Sequence, residues 1–229
     1  LVERLSKLSD KKESIEFYKN GHFPEKVMWQ KGNFLVKASF NQEQVFVLFP
    51  LDWTLTYKEY LSLMVFDTIT GDSMSSRLFL ELRERLGLCY SVGSFFTTYE
   101  NAGLWAAYLV CEKKNVVRAS KALLAETCNL LEKEISQEEI DLALERIIGL
   151  ETMNDVNSVF LMRRLWNFYS LGFDLMTTGE FINSIRMIGK NDIISFVRRL
   201  VDSSRRNLVV YGQKLSVFDR KKIMGEKNE

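Results

Sequence analysis

The residues that could perform chemistry are few and widely separated. The sequence has a single histidine, His22, and three cysteines, Cys89, Cys111 and Cys128. Zinc sites usually draw on a close pair such as Cys-x-x-Cys, and one histidine cannot form a two-histidine site. An odd cysteine count without regular spacing does not match a disulfide framework. We therefore expect reduced, partly buried thiols and no metal or other cofactor bound by this chain.

Three neighbouring serines are the other candidate nucleophiles. Ser73, Ser75 and Ser76 lie within four residues, but no histidine or acid partner is apparent that would activate a hydroxyl. Helix capping and tight packing explain serines at such positions better. The sequence therefore predicts no catalytic residue in this chain.

Composition excludes several classes of protein. The chain has 229 residues, of which 46% are hydrophobic, enough to bury the core of one large domain. A formal net charge of +1 gives no electrostatic footprint for nucleic acid. The longest apolar run, Leu104 to Cys111, is too short to cross a bilayer. A soluble, cytoplasmic protein is favoured, although a targeting segment before Leu1 would be absent from this sequence.

Hydrophobic alternation and turn residues predict five strands. The first two suggest a hairpin or neighbouring strands, and the Glu100–Gly103 turn joins the next two into a β-hairpin. The predicted strands are Asn33–Phe40, Gln44–Phe49, Leu88–Thr98, Leu104–Cys111 and Asn207–Tyr211.

Helical periodicity fills most of the remaining chain, and capping residues mark where helices begin. We expect Asp72 or Ser73 to cap one helix, Ser136 and Glu139 to form a capping box, and Asn191 or Asp192 to cap the last. The predicted helices cover residues 57–70, 73–86, 115–133, 137–151, 154–170, 179–188 and 191–201, with a mildly amphipathic stretch over 1–20. The aromatic cluster Trp166, Phe168 and Tyr169 is predicted to lie in the core.

The order of elements predicts the fold class. Strands and helices do not alternate strictly, so a doubly wound parallel sheet is not expected. We predict a single α+β domain with a mostly antiparallel sheet and helices packed on one face. Its core is expected over about 33–211, with a lead-in at 1–32 and a frayed tail at 212–229.

One segment carries a resemblance to a known family. Residues 71–92 contain a small-residue turn, then Ser-Arg-Leu-Phe, Leu-Arg-Glu, Gly-Leu and Cys-Tyr-Ser-Val. This resembles the signature of the C-terminal half of pitrilysin-type (insulinase-like) zinc metallopeptidases, which include insulin-degrading enzymes, mitochondrial processing peptidases and bacterial homologues. Cys89 stands where a small residue such as alanine is common. The shared order of elements extends from about Asn33 to Tyr211 and implies the half-domain fold of that family.

The resemblance implies two substrate-binding residues. The family places an arginine and a tyrosine, seven residues apart, toward the zinc site of the other half, and here those positions are Arg83 and Tyr90. A guanidinium and a phenol can both donate hydrogen bonds to a substrate carbonyl. On spacing alone, Arg83 would be a surface arginine beside Glu81 and Glu84, and Tyr90 a core aromatic. The full motif favours a substrate-facing role for both.

The resemblance also implies that the metal lies elsewhere. The zinc motif of the family, His-x-x-Glu-His with a distant glutamate, has no match around His22. Zinc is therefore expected in an N-terminal domain or a partner subunit, and this chain alone should be an inactive part of an endopeptidase. The alternative is a metal-free structural or partner subunit of the same superfamily. The expected partners are that domain or subunit and a peptide substrate, and pairing of two copies of this chain stays open.

Overall fold

A computed structural model describes residues 29–37, 41–99, 102–130, 133–202, 204–212 and 217–224. The amphipathic stretch over 1–20 and His22 lie outside the described residues. So does residue 203, together with the ends of several predicted elements.

The described strands form one sheet in the order β1-β5-β2-β4-β3. β5 pairs with β1 in parallel and with β2 antiparallel, and the remaining pairs are antiparallel. The strands are β1 (Asn33–Lys37), β2 (Glu43–Pro50), β3 (Ser91–Thr98), β4 (Gly103–Cys111) and β5 (Asn207–Gly212). The predicted β3–β4 hairpin is confirmed.

The expected pairing of the first two strands is wrong, because β5 lies between them. β1 is mostly exposed and occupies an edge, where few side chains need to be covered. β5 is more apolar, and its Leu208 and Val210 are buried opposite Val47 and Val45 of β2. The strand with more surface to bury takes the inner position, although it comes from the far end of the chain.

The helices follow the strands and connect them. They are α1 (Tyr57–Thr70), a π-helix (Phe79–Arg85), α2 (Val116–Asn129), α3 (Gln137–Met153), α4 (Ser158–Ser170), α5 (Thr178–Arg186), α6 (Lys190–Leu200) and α7 (Val217–Met224), with a short 3-10 turn at Lys113–Asn115. α7 lies within the segment that we expected to fray, and its Ile223 is buried.

The core lies between one face of the sheet and the helices. Val45, Val47 and Phe49 alternate along β2 and are fully buried, as period-2 patterning requires of a strand covered on one side. α2 packs on β2 and β4, and α1 packs against β3, α3 and α6. The predicted fold class is confirmed: an α+β domain with a mostly antiparallel sheet and helices on one face.

Two helices begin at other residues than predicted: α6 begins before its predicted cap, and α4 begins four residues after Asn154. α6 begins at Lys190, so neither Asn191 nor Asp192 precedes it. The carboxylate of Asp192 instead accepts a hydrogen bond from the Gly189 N–H at 3.1 Å. α4 begins at Ser158 because the Asn157 side chain accepts hydrogen bonds from the N–H groups of Val159 and Phe160, at 3.1 and 3.2 Å. These bonds satisfy donors of the first turn that have no partner within the helix.

The aromatic cluster of α4 is only partly in the core. Phe168 is buried, but Trp166 is 56% exposed and Tyr169 is 38% exposed. The prediction was therefore wrong for Trp166 and Tyr169. Their rings contact each other on the outer side of α4, with centroids 6.1 Å apart. Only the side that carries Leu165 and Phe168 packs inward.

Candidate functional site

The segment that carries the family resemblance begins with a turn. The helix expected from Asp72 or Ser73 starts only at Arg77. The hydroxyl of Ser76 donates back to the Ser73 carbonyl at 2.6 Å, and the Ser76 N–H donates to the same oxygen at 3.2 Å. These bonds close a turn, so the Ser73 carbonyl cannot serve as the first acceptor of a helix.

The helix then widens into a π-helix over Phe79–Arg85. The Leu86 N–H donates to Glu81, five residues back, and Leu88 donates to Leu82. Gly87 has a φ of +59°, a left-handed conformation that glycine adopts without strain and that commonly ends a helix. π-helical turns are rare and occur often at functional sites.

Arg77 fixes the start of this helix against α3. Its guanidinium makes a two-bond contact with the Glu139 carboxylate, at 2.6 and 2.8 Å. It also donates to the carbonyls of Lys133 and Glu134, at 3.1 and 2.7 Å. Four donors of one planar group are thus satisfied by the chain that leads into α3, a geometry that suits arginine and not lysine.

Glu139 belongs at the same time to the predicted capping box of α3, which is confirmed. The Ser136 hydroxyl accepts from the Glu139 N–H at 3.2 Å, and the Ser136 N–H donates to the Glu139 carboxylate at 2.9 Å. Burial by itself would raise the pKa of Glu139, but the hydrogen bonds and charge of Arg77 and the bonds from Ser136 hold it below its usual range.

The structure brings Arg83 and Tyr90 together. The guanidinium carbon of Arg83 lies 5.8 Å from the centroid of the Tyr90 ring and 4.8 Å from the centroid of the Phe79 ring. Cation–π contacts at exposed positions contribute about 0.5–1 kcal/mol each. Tyr90 is 75% exposed, so the interpretation of this residue as a core aromatic is wrong. Both side chains are therefore neighbours and both are accessible to solvent.

The backbone at the start of β3 positions Tyr90. Its N–H donates to the Val110 carbonyl of β4 at 2.9 Å, which ties the residue to the hairpin while the side chain stays exposed. The following residue, Ser91, then pairs in register with Val110. Tyr90 therefore lies at the start of β3, fixed by its bond to β4. Arg83 lies in the last turn of the π-helix, before the Gly87 turn, and its side chain extends toward the Tyr90 ring.

Acidic residues surround Arg83 without neutralising it closely. The nearest carboxylate oxygen, from Glu84, is 4.0 Å from the Arg83 side chain, at the limit of an ion pair. Glu81 instead pairs with Arg85, and the hydrogen bond from Arg85 lowers the pKa of Glu81. Arg83 thus keeps an accessible charge, and its place in the last turn suits the negative end of the helix dipole.

The cysteines near the site are not activated. The three cysteines are free, as expected, and Cys111 is buried. Burial raises the pKa of the Cys89 thiol to about 11, although the charge of Arg83 opposes the rise. Burial likewise raises the pKa of Cys111 to about 12. Thiols of this kind are almost wholly protonated near neutral pH and are poor nucleophiles.

The described residues do not fit a zinc ion. Across the ranges given above, His, Cys, Asp and Glu side chains nowhere cluster in threes in a way that could hold a metal. Within the same ranges, no helix has the length and apolar character needed to cross a membrane.

Sequence reasoning missed two residues that build the site. The Phe79 ring lies under the Arg83 guanidinium. The two residues are four apart along a helix, and this spacing was the signal that could have found the pair. The contact between Arg77 and Glu139 joins residues 62 positions apart. No local pattern indicates such a pair, so only the folded structure shows it.

The comparison with known families identifies the class of this protein. Residues 2–147 match the family model of the peptidase M16 inactive domain. The chain belongs to this family, which confirms the resemblance that the Gly71–Val92 segment indicated.

Individual relatives agree with this assignment. The chain is 29% identical over 150 residues to an uncharacterized zinc protease of Rickettsia bellii, an alignment that covers 66% of this chain and 36% of that protein. This chain thus spans about a third of the length of the curated relatives it matches.

Solved structures share the fold. A peptidase M16 inactive domain from Pseudomonas fluorescens is similar with a TM-score of 0.66 at 17% identity, covering 83% of this chain and 47% of that one. A chain of Complex III2 from Candida albicans is similar with a TM-score of 0.69 at 17% identity, covering 89% and 52%.

Proposed function

We propose that this chain is the substrate-enclosing domain of a zinc-dependent endopeptidase. The zinc ion would be held by a domain or subunit outside this sequence, and Arg83 and Tyr90 would donate hydrogen bonds to the bound peptide. The observation that carries the proposal is the contact between the Arg83 guanidinium and the exposed Tyr90 ring. Membership of an inactive-domain family whose relatives are named zinc proteases supports it.

The chemistry of the two side chains suits this role. A guanidinium has five donors and a phenol has one, and neither group needs to lose or gain a proton to bind a carbonyl oxygen. Donors that face the oxygen on which charge develops stabilise the transition state more than the bound substrate. Among the described residues, the carboxylate that pairs with Arg83 is that of Glu84, at 4.0 Å, which leaves the guanidinium donors available for a peptide.

The test uses the complete enzyme, as one chain or as a purified complex. Arg83→Gln replaces the charged five-donor guanidinium by a shorter neutral amide, and Tyr90→Phe removes the phenol donor while keeping the ring. We expect each to lower kcat/KM for a peptide substrate by about ten-fold, with the loss mainly in kcat. Peptide hydrolysis and thermal unfolding are measured on the same preparations.

Two matched variants serve as controls. Arg118→Gln removes an exposed arginine of α2, away from the π-helix, and Tyr99→Phe removes the hydroxyl of a tyrosine that is 67% exposed at the far end of β3. Both should keep the activity of the parent enzyme. Full activity in both Arg83→Gln and Tyr90→Phe, with folding intact, would exclude the proposed role.

A structural role in a larger assembly is the second candidate. It is favoured by the likeness to a chain of Complex III2. The gene decides between the two. A His-x-x-Glu-His motif elsewhere in the same reading frame, or in a chain that copurifies with this one, supports the peptidase; its absence from both supports a scaffold.

A further inference from the structure

Phe79 lies beside Arg83 on the same π-helix. It is the first residue of the π-helix, and Arg83 follows four residues later, on the same side of the helix. The guanidinium carbon lies 4.8 Å from the centre of the Phe79 ring, closer than its 5.8 Å from the Tyr90 ring. The nearer of the two aromatic contacts is therefore made within the helix that carries the arginine.

The two rings differ in how firmly they are held. Phe79 is partly buried and packs against the hydrophobic core. Tyr90 is 75% exposed and belongs to another element. A long arginine side chain loses considerable rotamer freedom when it is fixed in one place. The ring fixed by the core gives the guanidinium a constant surface, which the exposed ring alone does not.

The acidic residues near Arg83 compete only weakly with the aromatic rings for its guanidinium. Glu84 approaches Arg83 only to 4.0 Å, and both side chains are well exposed, so solvent screens this pair. Glu81, the other nearby acid, is engaged by Arg85. Among the described neighbours, the aromatic rings are therefore the contacts that define where the guanidinium lies.

We propose that Phe79 is a positioning residue, whose ring holds the Arg83 guanidinium beside Tyr90 in the orientation that meets a peptide carbonyl. Phe79 itself donates nothing and touches no reacting atom. The consequence of this placement for catalysis depends on the proposed function, whereas the placement itself can be measured independently.

The test replaces the ring while keeping its bulk. Phe79→Met preserves an apolar side chain of similar volume but removes the aromatic face, and Phe79→Tyr retains that face. In the complete protein with isotope-labelled arginine, the Arg83 Nε–H signal should lose the part of its ring-current shift that the Phe79 ring causes, and the side chain should become more mobile in Phe79→Met. Phe79→Tyr should restore both. An Arg83 signal that is the same in Phe79→Met as in the parent protein overturns the proposal.

Kinetics provide the second readout. Phe79→Met should lower kcat about five-fold with little change in KM, whereas Phe79→Tyr should keep the kcat of the parent enzyme. In the double variant, Phe79→Met should lower kcat little further than Arg83→Gln does alone. If the signal moves but Arg83→Gln keeps full activity, the positioning is right and the proposed function is wrong. If Arg83→Gln loses activity while Phe79→Met changes neither the signal nor kcat, the function stands and Phe79 has no positioning role.

Discussion

Gly71 lies directly against the backbone of Ser94. A Cβ atom placed on Gly71 would be 2.1 Å from the Ser94 nitrogen and 2.6 Å from the Gly93 carbonyl carbon. The Ser94 hydroxyl in turn donates to the carbonyl of Asp67, at the end of α1, at 3.2 Å. The backbone at Gly71, just after α1, and the backbone of β3 are therefore in direct contact, at the place where the chain turns toward the π-helix.

We expect Gly71→Ala to destabilise the domain severely. Two of the three nearest atoms that a methyl group would meet are backbone atoms, which cannot move aside as a flexible side chain would, and the third is the Ser94 hydroxyl oxygen at 2.4 Å. The cost should therefore exceed about 3 kcal/mol. Gly149→Ala is the matched control. Gly149 lies in α3 with no other atom within 4 Å of its added Cβ, and alanine there should stabilise by about 0.5–1 kcal/mol. Urea unfolding measures both; equal stabilities of the two variants would contradict the close approach.

Asp67 makes the stability of the same junction depend on pH. Its carboxylate accepts a hydrogen bond from the Trp105 indole at 2.8 Å, but the side chain is buried, and burial raises its pKa from 3.8 to about 6. The folded state therefore holds a proton more tightly than the unfolded chain. The resulting stability is complete below pH 3.8 and is lost as the pH rises through about 6.

Asp67→Asn should remove this dependence. The amide oxygen can still accept from Trp105, and no charge has to be buried. A pKa rise of this size corresponds to about 3 kcal/mol, so the variant should gain up to about that much relative to the parent between pH 4 and pH 7. The measured quantity is the difference in the free energy of unfolding between variant and parent at each pH. A difference that stays constant over this range would show that Asp67 is not the titrating group.

Features that depend on neighbouring residues were predictable from the sequence. The capping box of Ser136 and Glu139 was placed correctly because its partners are three residues apart. α1 was predicted with its observed bounds, and Gly87 ends the helix before β3 as expected. In each case the signal lies within one turn of chain.

Features that depend on partners far away in the sequence were not predictable from it. β5 inserts between β1 and β2 from more than 150 residues away, and nothing near β1 indicates this. Trp166 and Phe168 are two residues apart in one helix, yet only Phe168 is buried; composition alone does not say which side faces inward. For the candidate site, the motif predicted Arg83 and Tyr90, whereas their mutual contact and the ring of Phe79 required the folded chain.

Cys89 and Cys111 should resist alkylation in the folded protein. At a pKa of about 11 or 12, the thiolate fraction at pH 8 is below about 0.1%, against about a quarter for an ordinary thiol. Iodoacetamide should therefore modify both at least about 100-fold more slowly in the native protein than in urea. Mass spectrometry assigns the sites, and Cys89→Ala isolates the reaction of Cys111. Rapid native labelling of Cys111 would contradict its burial.

The pair of Arg77 and Glu139 should couple strongly in a double-mutant cycle. Arg77→Gln removes a group that makes four hydrogen bonds to the start of α3, so we expect a loss of about 2–4 kcal/mol, with about 1–2 kcal/mol of coupling to Glu139→Gln.

The pKa of Glu139 is lowered in the folded state. Its contribution is therefore complete above the usual pKa of a glutamate and is lost as the pH falls through the lowered value. The stability difference between the parent protein and Glu139→Gln should accordingly shrink in acid.

Arg85→Gln, which breaks an exposed pair in the same π-helix, should cost less than about 0.5 kcal/mol. Because Arg77 also donates to the carbonyls of Lys133 and Glu134, a large loss in Arg77→Gln with a coupling near zero would mean that those two bonds, and not the ion pair with Glu139, fix the helix that carries Arg83.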